Sequence, residues 1–170
     1  MIEVTPLDPL KNSEGNPSVV RVSEAAPDRE GTPPPPSYIE LVAASTAASN
    51  GKLRLTLRFS SQLPDSMRDD DSTFMTGFNV WAGEREFALS ATLDDEGWVA
   101  AFEERNEEEL EGRLRRARKS IMFEMRRDLL GEVGVLRWVA GAVLTKTHPA
   151  PLIRGHDLVP NDGVVRHRLR

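Results

Sequence analysis

The fold is decided by one stretch, residues 135–163, which reads V-L-R-W-V-A-G-A-V-L-T-K-T-H-P-A-P-L-I-R-G-H-D-L-V-P-N-D-G. Its first half, Val135–Thr145, carries apolar side chains at every second position, a period typical of a β-strand with one buried face. These side chains are Leu136, Trp138, Ala140, Ala142 and Leu144. Its second half contains Asp157, Asn161 and Asp162, and it predicts a polar loop that returns to the same edge of a sheet.

The chain before this stretch has the same two-residue period. In Lys52–Ser60, leucines and a phenylalanine alternate with polar residues, and Asn50-Gly51 just before it accepts the positive φ angles of a tight hairpin turn. Further strands are predicted over Tyr38–Ala47, Thr73–Ala82, Glu86–Leu93, Trp98–Glu103 and Ser120–Arg126. Turn residues separate these strands about every ten residues, which predicts an all-β fold, an antiparallel β-sandwich of the jelly-roll or immunoglobulin-like type.

The ends of the chain differ in composition from its centre. Residues 1–37 are rich in proline and end in Thr32-Pro33-Pro34-Pro35-Pro36-Ser37, so they predict a disordered or extended Pro-rich arm or linker. Residues 38–165 form the predicted sandwich domain, and residues 166–170 form a basic tail. A chain of 170 residues favours one such domain.

One segment, Glu103–Lys119, interrupts the strand pattern. Its first part is acidic and its second part is basic, and Glu-to-Arg pairs at i,i+4 spacing favour a surface helix by local propensity. A loop remains the alternative. The basic part, Arg113–Lys119, either contacts an anionic partner or forms a solvated face balanced by the acidic part.

The composition excludes several classes of function. The net charge of -5 argues against general nucleic-acid binding, which needs a basic face. No apolar run approaches the roughly 20 residues of a membrane span. Cysteine is absent, which excludes disulfides and thiolate chemistry. No signal peptide is visible at the N-terminus, which leaves a cytoplasmic protein and an exported protein without its signal as alternatives.

The sequence contains no recognisable catalytic motif. The histidines are His148, His156 and His167, and they match neither the H-x-x-x-H nor the H-E-x-x-H spacing of a zinc site. There is no G-x-S-x-G nucleophile motif and no glycine-rich phosphate loop. We therefore expect that the protein is not an enzyme.

Two of the three tryptophans are candidates for ligand binding. Trp98 begins a predicted strand, where a side chain can lie at the rim of a sandwich. Trp81 shares one face of its strand with Asn79 and is either a core or a surface residue. Trp138 lies in the most apolar run and is expected in the core. We therefore name Trp98 and Trp81 as the candidate ligand-binding residues.

Several short motifs occur in an order that resembles a known domain. They are Asp28-Arg29-Glu30-Gly31, the strand Tyr38–Ser45, Gly97-Trp98-Val99, the segment Phe123–Gly131, and Leu136–Gly141 followed by the Asp157–Gly163 hook. Together they resemble a β-sandwich domain of exported proteins, chiefly of actinobacteria, which is similar to DOMON and family-9-type carbohydrate-binding modules. The resemblance implies an extracellular or cell-surface location and a carbohydrate ligand.

The hook at Asp157–Gly163 carries the candidate metal ligands. Asp157, Asp162 and Asn161 offer hard oxygen ligands for calcium, and similar sandwiches often carry a structural calcium near their termini. An ion there could also bind Asp28, or Glu40, and so tie the two ends of the domain together. The alternative is a turn at Pro160-Asn161-Asp162-Gly163 that is stabilised by its own side chains.

These observations favour a non-catalytic binding module for a carbohydrate or another cell-surface component. The alternative is a structural or assembly subunit whose N-terminal arm and C-terminal tail wrap neighbouring chains. In that case the arm would form an oligomer, and the partner would be a protein.

Overall fold

The protein is an all-β sandwich of two sheets, as the sequence predicts. The computed structural model describes residues 4–6, 18–21, 35–67, 71–105, 109–146, 152–160 and 163–169, the first two ranges as backbone strands. Sheet A has the order β1 (Val4–Pro6), β8 (Gly112–Ala117), β9 (Ser120–Arg126), β4 (Lys52–Phe59), β3 (Leu41–Ser49), β2 (Ser18–Arg21). Sheet B has the order β11 (Leu152–Val159), β10 (Val135–Lys146), β5 (Ser72–Ala82), β6 (Arg85–Leu93), β7 (Trp98–Glu104), with β12 (Val165–Arg168) also on β10.

All strand pairs are antiparallel except β1 with β8, which is parallel. Strands β1 and β2 belong to the predicted N-terminal arm. They form the two edges of sheet A, where β1 pairs with β8 and β2 pairs with β3. Two short 3₁₀ helices, η1 (Ser37–Ile39) and η2 (Arg127–Leu130), complete the described elements. None of the helices in the described ranges is long and apolar enough to cross a membrane.

The hairpin of β3 and β4 forms as its sequence predicts. Asn50 and Gly51 have φ angles of 51° and 71°, the left-handed values that a two-residue turn between antiparallel strands needs. Alternation along β4 then directs every second side chain into the sandwich. Leu53, Leu55 and Leu57 are fully buried there. The two-residue period therefore decides which face of sheet A meets sheet B.

Aromatic rings join the two sheets. Phe123 of sheet A packs edge-to-face against Phe78 and Phe102 of sheet B, with ring centroids 6.0 and 5.8 Å apart. Trp138 of β10 packs against Phe78 at 5.5 Å and is fully buried. The prediction that Trp138 anchors the core strand is confirmed, and with it the assignment of residues 135–145 to a buried strand.

The second half of the 135–163 stretch differs from the prediction. Residues 152–159 form a strand, β11, rather than a loop, and it pairs with Ala140–Lys146. Strand β12 pairs with the earlier residues of β10 on the same edge, from Val135 to Trp138. The predicted return to one sheet edge is therefore present, but two strands make it. The boundary at residue 165 falls within β12, whose His167 is buried.

Over its described residues, 103–105 and 109–119, the charged segment Glu103–Lys119 contains a strand where the sequence predicts a helix or a loop. Within it, Gly112–Ala117 forms β8, which pairs with β9 along its whole length. The reason is the alternation around Leu114, which is fully buried. Burial of this side chain and the ladder of hydrogen bonds to β9 outweigh the helix propensity of the glutamates and arginines.

Candidate functional site

The three tryptophans occupy different environments. Trp138 is in the core, and Trp98 is half-buried at one end of the sandwich. The indole N–H of Trp98 donates a hydrogen bond to the carbonyl of Pro64 at 3.2 Å, and its ring packs against Phe74 at 5.8 Å. The guanidinium of Arg116 lies 5.6 Å from the Trp98 ring centroid. The Trp98 ring is therefore engaged with its own protein on several sides.

Trp81 lies on the face of β5 that points away from the core. Its neighbours in the strand, Val80 and Ala82, are buried, so alternation directs the half-buried Trp81 outward together with the exposed Asn79. In register, Glu86 of β6 lies on one side of Trp81 and Arg137 of β10 on the other. We call Asn79, Trp81, Glu86 and Arg137 the Trp81 surface.

The Trp81 surface combines an aromatic ring with planar polar groups. The carboxylate of Glu86 accepts a hydrogen bond from Arg105 at 2.6 Å, and Arg137 is exposed. Side chains directly opposite each other on a sheet have Cβ atoms about 5 Å apart, so these groups flank the ring closely. The surface therefore offers an apolar face with hydrogen-bond donors and acceptors on both sides of it.

The other half of the same sheet face is apolar. Met75, Val99 and Leu158 are exposed by 45, 59 and 51%, and half-buried Val143 lies beside Met75. We call these four residues the apolar half. A row of small residues separates Met75, Val99 and Val143 from the Trp81 surface, and Leu158 lies at the end of this row, opposite Gly141. The row consists of Gly141, Gly77, Ser90 and Ala101 in register across β10, β5, β6 and β7.

The row is small because the backbone leaves no room for a side chain at its centre. A Cβ atom added to Gly77 would lie 2.0 Å from the carbonyl oxygen of Leu89. A Cβ atom on Gly141 would lie 3.1 Å from a methyl group of Leu158. Thr76 also donates a hydrogen bond from its hydroxyl to the carbonyl of Gly141, at 2.7 Å. The row of small side chains therefore forms a shallow depression across the middle of the outer face of sheet B.

Asp157, one of the predicted calcium ligands, has a structural partner. It lies on β11 with 3% exposure, and its Oδ2 accepts a hydrogen bond from the backbone N–H of Leu41 at 2.7 Å. Leu41 is where β3 has a register shift, so the carboxylate binds an amide at an irregular point of the ladder. The contact joins β11, at the edge of sheet B, to the start of β3 in sheet A.

Burial raises the pKa of Asp157, and the negative charge of nearby Glu40 raises it further, against the hydrogen bond from Leu41. Asp28, Asn161 and Asp162, the other predicted ligands, lie outside the described residues. Within the residues that the structure describes, no group of three or more histidines, aspartates or glutamates could hold a metal ion. The calcium site therefore stays a prediction, of which Asp157 and neighbouring Glu40 are the described members.

Another buried titratable residue is His167 of β12. His167 is 3% exposed, and its Nε2 has no hydrogen-bond partner. Burial lowers the pKa of His167. An open depression at the end of the β3–β4 hairpin is lined by Gly51, Arg126, Arg127, Asp128, Gly131 and Glu132. Arg126 and Asp128 form an ion pair there, which occupies their charged groups with each other.

The sequence predicts only part of one charged surface. Alternation predicts a polar face for β4, with Lys52, Arg54 and Arg58. The structure places Arg113 and Arg115 of β8 on the same outer face of sheet A as these three residues. The sequence signal was the basic run in residues 113–119, but the order of the strands, which brings the two sets together, has no local signature.

We call Lys52, Arg54, Arg58, Arg113 and Arg115 the basic face. Strand β9 runs between the two sets and contributes Glu124, which is 5% exposed. The Glu124 carboxylate accepts hydrogen bonds from Lys52 and Arg54, both at 2.8 Å. Burial acts to raise the pKa of Glu124, but these two bonds outweigh it, so the pKa lies below its usual value.

Comparisons with known proteins identify no family for this chain. No protein-family model matches it, and neither the curated proteins nor the solved structures yielded a match. The sandwich architecture and the two outer sheet faces are therefore the basis for a functional assignment.

Proposed function

We propose that the chain is a non-catalytic β-sandwich binding module that binds carbohydrate through the Trp81 surface. One observation carries the proposal. Of the three tryptophans, Trp81 is the one on an outer sheet face, and Glu86 and Arg137 flank it in register. The sequence motifs that resemble exported modules of the DOMON and family-9 carbohydrate-binding type support the same ligand class and a location at the cell surface.

The chemistry of the surface suits a sugar ring. An indole offers a large, rigid apolar face on which the C–H groups of a pyranose can pack. Asn79, Glu86 and Arg137 supply donors and acceptors for the hydroxyl groups around that ring. A few placed polar groups around an apolar contact are the usual composition of a small-ligand site. Trp98, the other tryptophan named from the sequence, would support the fold rather than contact the sugar.

The test is binding of neutral oligosaccharides on a glycan array, followed by titration calorimetry with the best ligand. Trp81→Ala should weaken binding about tenfold or more, because truncation of a central aromatic contact typically costs more than 1 kcal/mol. Met75→Ala, on the same sheet face, is the matched control and should bind as the unchanged protein does. Equal affinity of Trp81→Ala and the unchanged protein, or no glycan bound by either, would refute the proposal.

The apolar half of the same face supports a second function, an assembly subunit. Met75, Val99 and Leu158 are large and exposed on three strands of the same sheet face, and exposed apolar surface commonly marks contact sites. Here the partner would be a second copy of the chain. Light scattering at micromolar concentration tests it: the unchanged protein should have the mass of an oligomer, and serine at all three positions should give a monomer. An unchanged protein that is already monomeric would rule this function out.

A further inference from the structure

The basic face concentrates positive charge on one side of an acidic protein. The chain has a net charge of -5, yet Lys52, Arg54, Arg58, Arg113 and Arg115 all lie on the outer face of sheet A. Among the described residues of β4, β8 and β9 that share this face, Glu124 is the only carboxylate. With Arg126 of β9, which pairs with Asp128, six cations therefore share this face with one carboxylate of these strands.

Glu124 does not neutralise the face. Its carboxylate is occupied by Lys52 and Arg54, at 2.8 Å each. Arg58 is exposed and lies further along β4, beside Ser120 and Ala43 in register. The Nε of half-buried Arg115 is itself buried beside Met122 without a hydrogen-bond partner, so Arg115 can offer a ligand only its terminal guanidinium nitrogens. The positive charge of these two arginines is not balanced by an ion pair with Glu124.

The spacing of the charges follows from the sheet. Cations two residues apart on one strand are separated by about 7 Å. The set on β4 and the set on β8 are separated by two strand spacings, about 10 Å, because β9 lies between them. An extended polymer that carries a negative group on successive units could contact several of these cations at once.

We propose that the basic face binds a linear acidic polysaccharide through its carboxylate or sulfate groups. Arg58 and Arg115 would make the principal contacts, and Glu124 would position Lys52 and Arg54. A guanidinium forms paired hydrogen bonds with such anions. The ligand and the sheet face differ from those of the carbohydrate function proposed above, so either assignment can fail alone.

The side chains of the face favour a polysaccharide over other polyanions. Single-stranded nucleic acids are usually bound by aromatic rings that stack on the bases, and none of the described side chains on the outer faces of β4, β8 and β9 is aromatic. Surfaces that insert into membranes expose apolar side chains, whereas Met122, the apolar residue at the centre of the basic face, is buried.

The test uses the full chain with heparin and polygalacturonate as probes and neutral dextran as the reference, by calorimetry at 50 and 200 mM salt. The double variant R58E/R115E should bind the acidic probes about tenfold or more weakly, and binding by the unchanged protein should fall as salt rises. The matched control R166E/R168E reverses two charges on β12, a strand of sheet B, and should bind within about twofold of the unchanged protein.

Two further variants separate charge from folding. R58K/R115K keeps both positive charges and should retain most of the binding, and the melting temperature of each variant reports whether it folds. Trp81→Ala should leave the acidic probes bound, which separates this site from the one on sheet B. The proposal is overturned if neither probe binds at 50 mM salt or if dextran binds equally. It also fails if both double charge reversals have the same effect, or if a DNA duplex or phosphatidylserine vesicles bind more tightly.

Discussion

The outer faces of sheets A and B are built in opposite ways. On sheet A, long cationic side chains surround Glu124, and ion pairs with it hold Lys52 and Arg54 in place. On sheet B, the centre of the face is a row of glycine and other small residues with an aromatic surface on one side and an apolar one on the other. One face depends on charge and the other on shape. The same two-residue period therefore supports two chemically different surfaces on one sandwich.

The largest effect is expected where the shape of sheet B is broken. Gly77→Ala places a methyl group against the carbonyl oxygen of Leu89, with 2.0 Å between the unrelaxed atoms. The backbone of β5 or β6 must move, so we expect a loss of about 2–3 kcal/mol in the free energy of unfolding. Urea denaturation measures it. Gly141→Ala meets the movable side chain of Leu158 at 3.1 Å and the carbonyl oxygen of Asp157 at 3.3 Å, and it should cost less, about 1 kcal/mol. Equal losses for the two variants would contradict this account.

The charge network of sheet A should contribute less, but more than an exposed ion pair does. Glu124→Ala removes a buried carboxylate and leaves Lys52 and Arg54 next to other cations, for an expected loss of about 2 kcal/mol. The partners are partly solvated, which reduces the loss from that of a fully buried pair. On sheet B, Glu86→Ala breaks a pair with the well-exposed Arg105 and should cost a few tenths of a kcal/mol.

Urea denaturation of both variants at low and high salt tests this difference. Salt should reduce the penalty of Glu124→Ala, because it screens the cations that remain. The assignment of Glu124 as the centre of the network fails if Glu86→Ala is the more destabilising change.

The sequence predicts these two faces to different extents. Alternation identifies the solvent-exposed face of β4 and the buried face of β10, because each is a local property of one strand. It does not reveal that Arg113 and Arg115 share an outer face with the cations of β4, since that requires the strand order of sheet A. The roles of the tryptophans also depend on distant partners: the Pro64 carbonyl that binds Trp98 is 34 residues away.

Asp157 shows the same limit. Its acidic neighbours in sequence predict a metal site, whereas its partner in the structure is the amide of Leu41, which is 116 residues away. The sequence alone does not distinguish an aspartate that accepts a backbone hydrogen bond from an aspartate that binds calcium. Only the packing of β11 against the start of β3 distinguishes a carboxylate that accepts a backbone hydrogen bond.

The pH dependence of stability should reveal the charge network of sheet A. The folded-state pKa of Glu124 lies below its ordinary value of 4.5, so its stabilising contribution is complete above pH 4.5 and is lost as the pH falls through the folded pKa. Glu124→Gln cannot titrate. The stability difference between the unchanged protein and this variant, measured by urea denaturation, should therefore narrow below pH 4.5. A constant difference between pH 7 and pH 3 would contradict the prediction.

The smallest effect, with the opposite sign, is expected at Asp157. Burial raises its folded-state pKa above the ordinary 3.8, so the folded protein holds this proton more tightly than the unfolded chain. The contribution to stability is complete below pH 3.8 and is lost as the pH rises through the folded pKa. Asp157→Asn keeps an oxygen that can accept the hydrogen bond from Leu41 and removes the titration. Its stability relative to the unchanged protein should therefore improve between pH 4 and pH 7.

Asp157→Ala supplies the control, because it also removes the acceptor and leaves the amide of Leu41 without its partner. It should be less stable than Asp157→Asn at every pH, by about 1–2 kcal/mol. If Asp157→Asn instead loses stability relative to the unchanged protein as the pH rises, the ionised carboxylate is favoured in the folded state. Either the backbone hydrogen bonds from Leu41 and Leu158 or a bound cation would then outweigh burial, and titration with calcium would show whether the cation contributes. The direction of one pH profile thus shows whether burial or the groups that bind the ionised carboxylate dominate at Asp157.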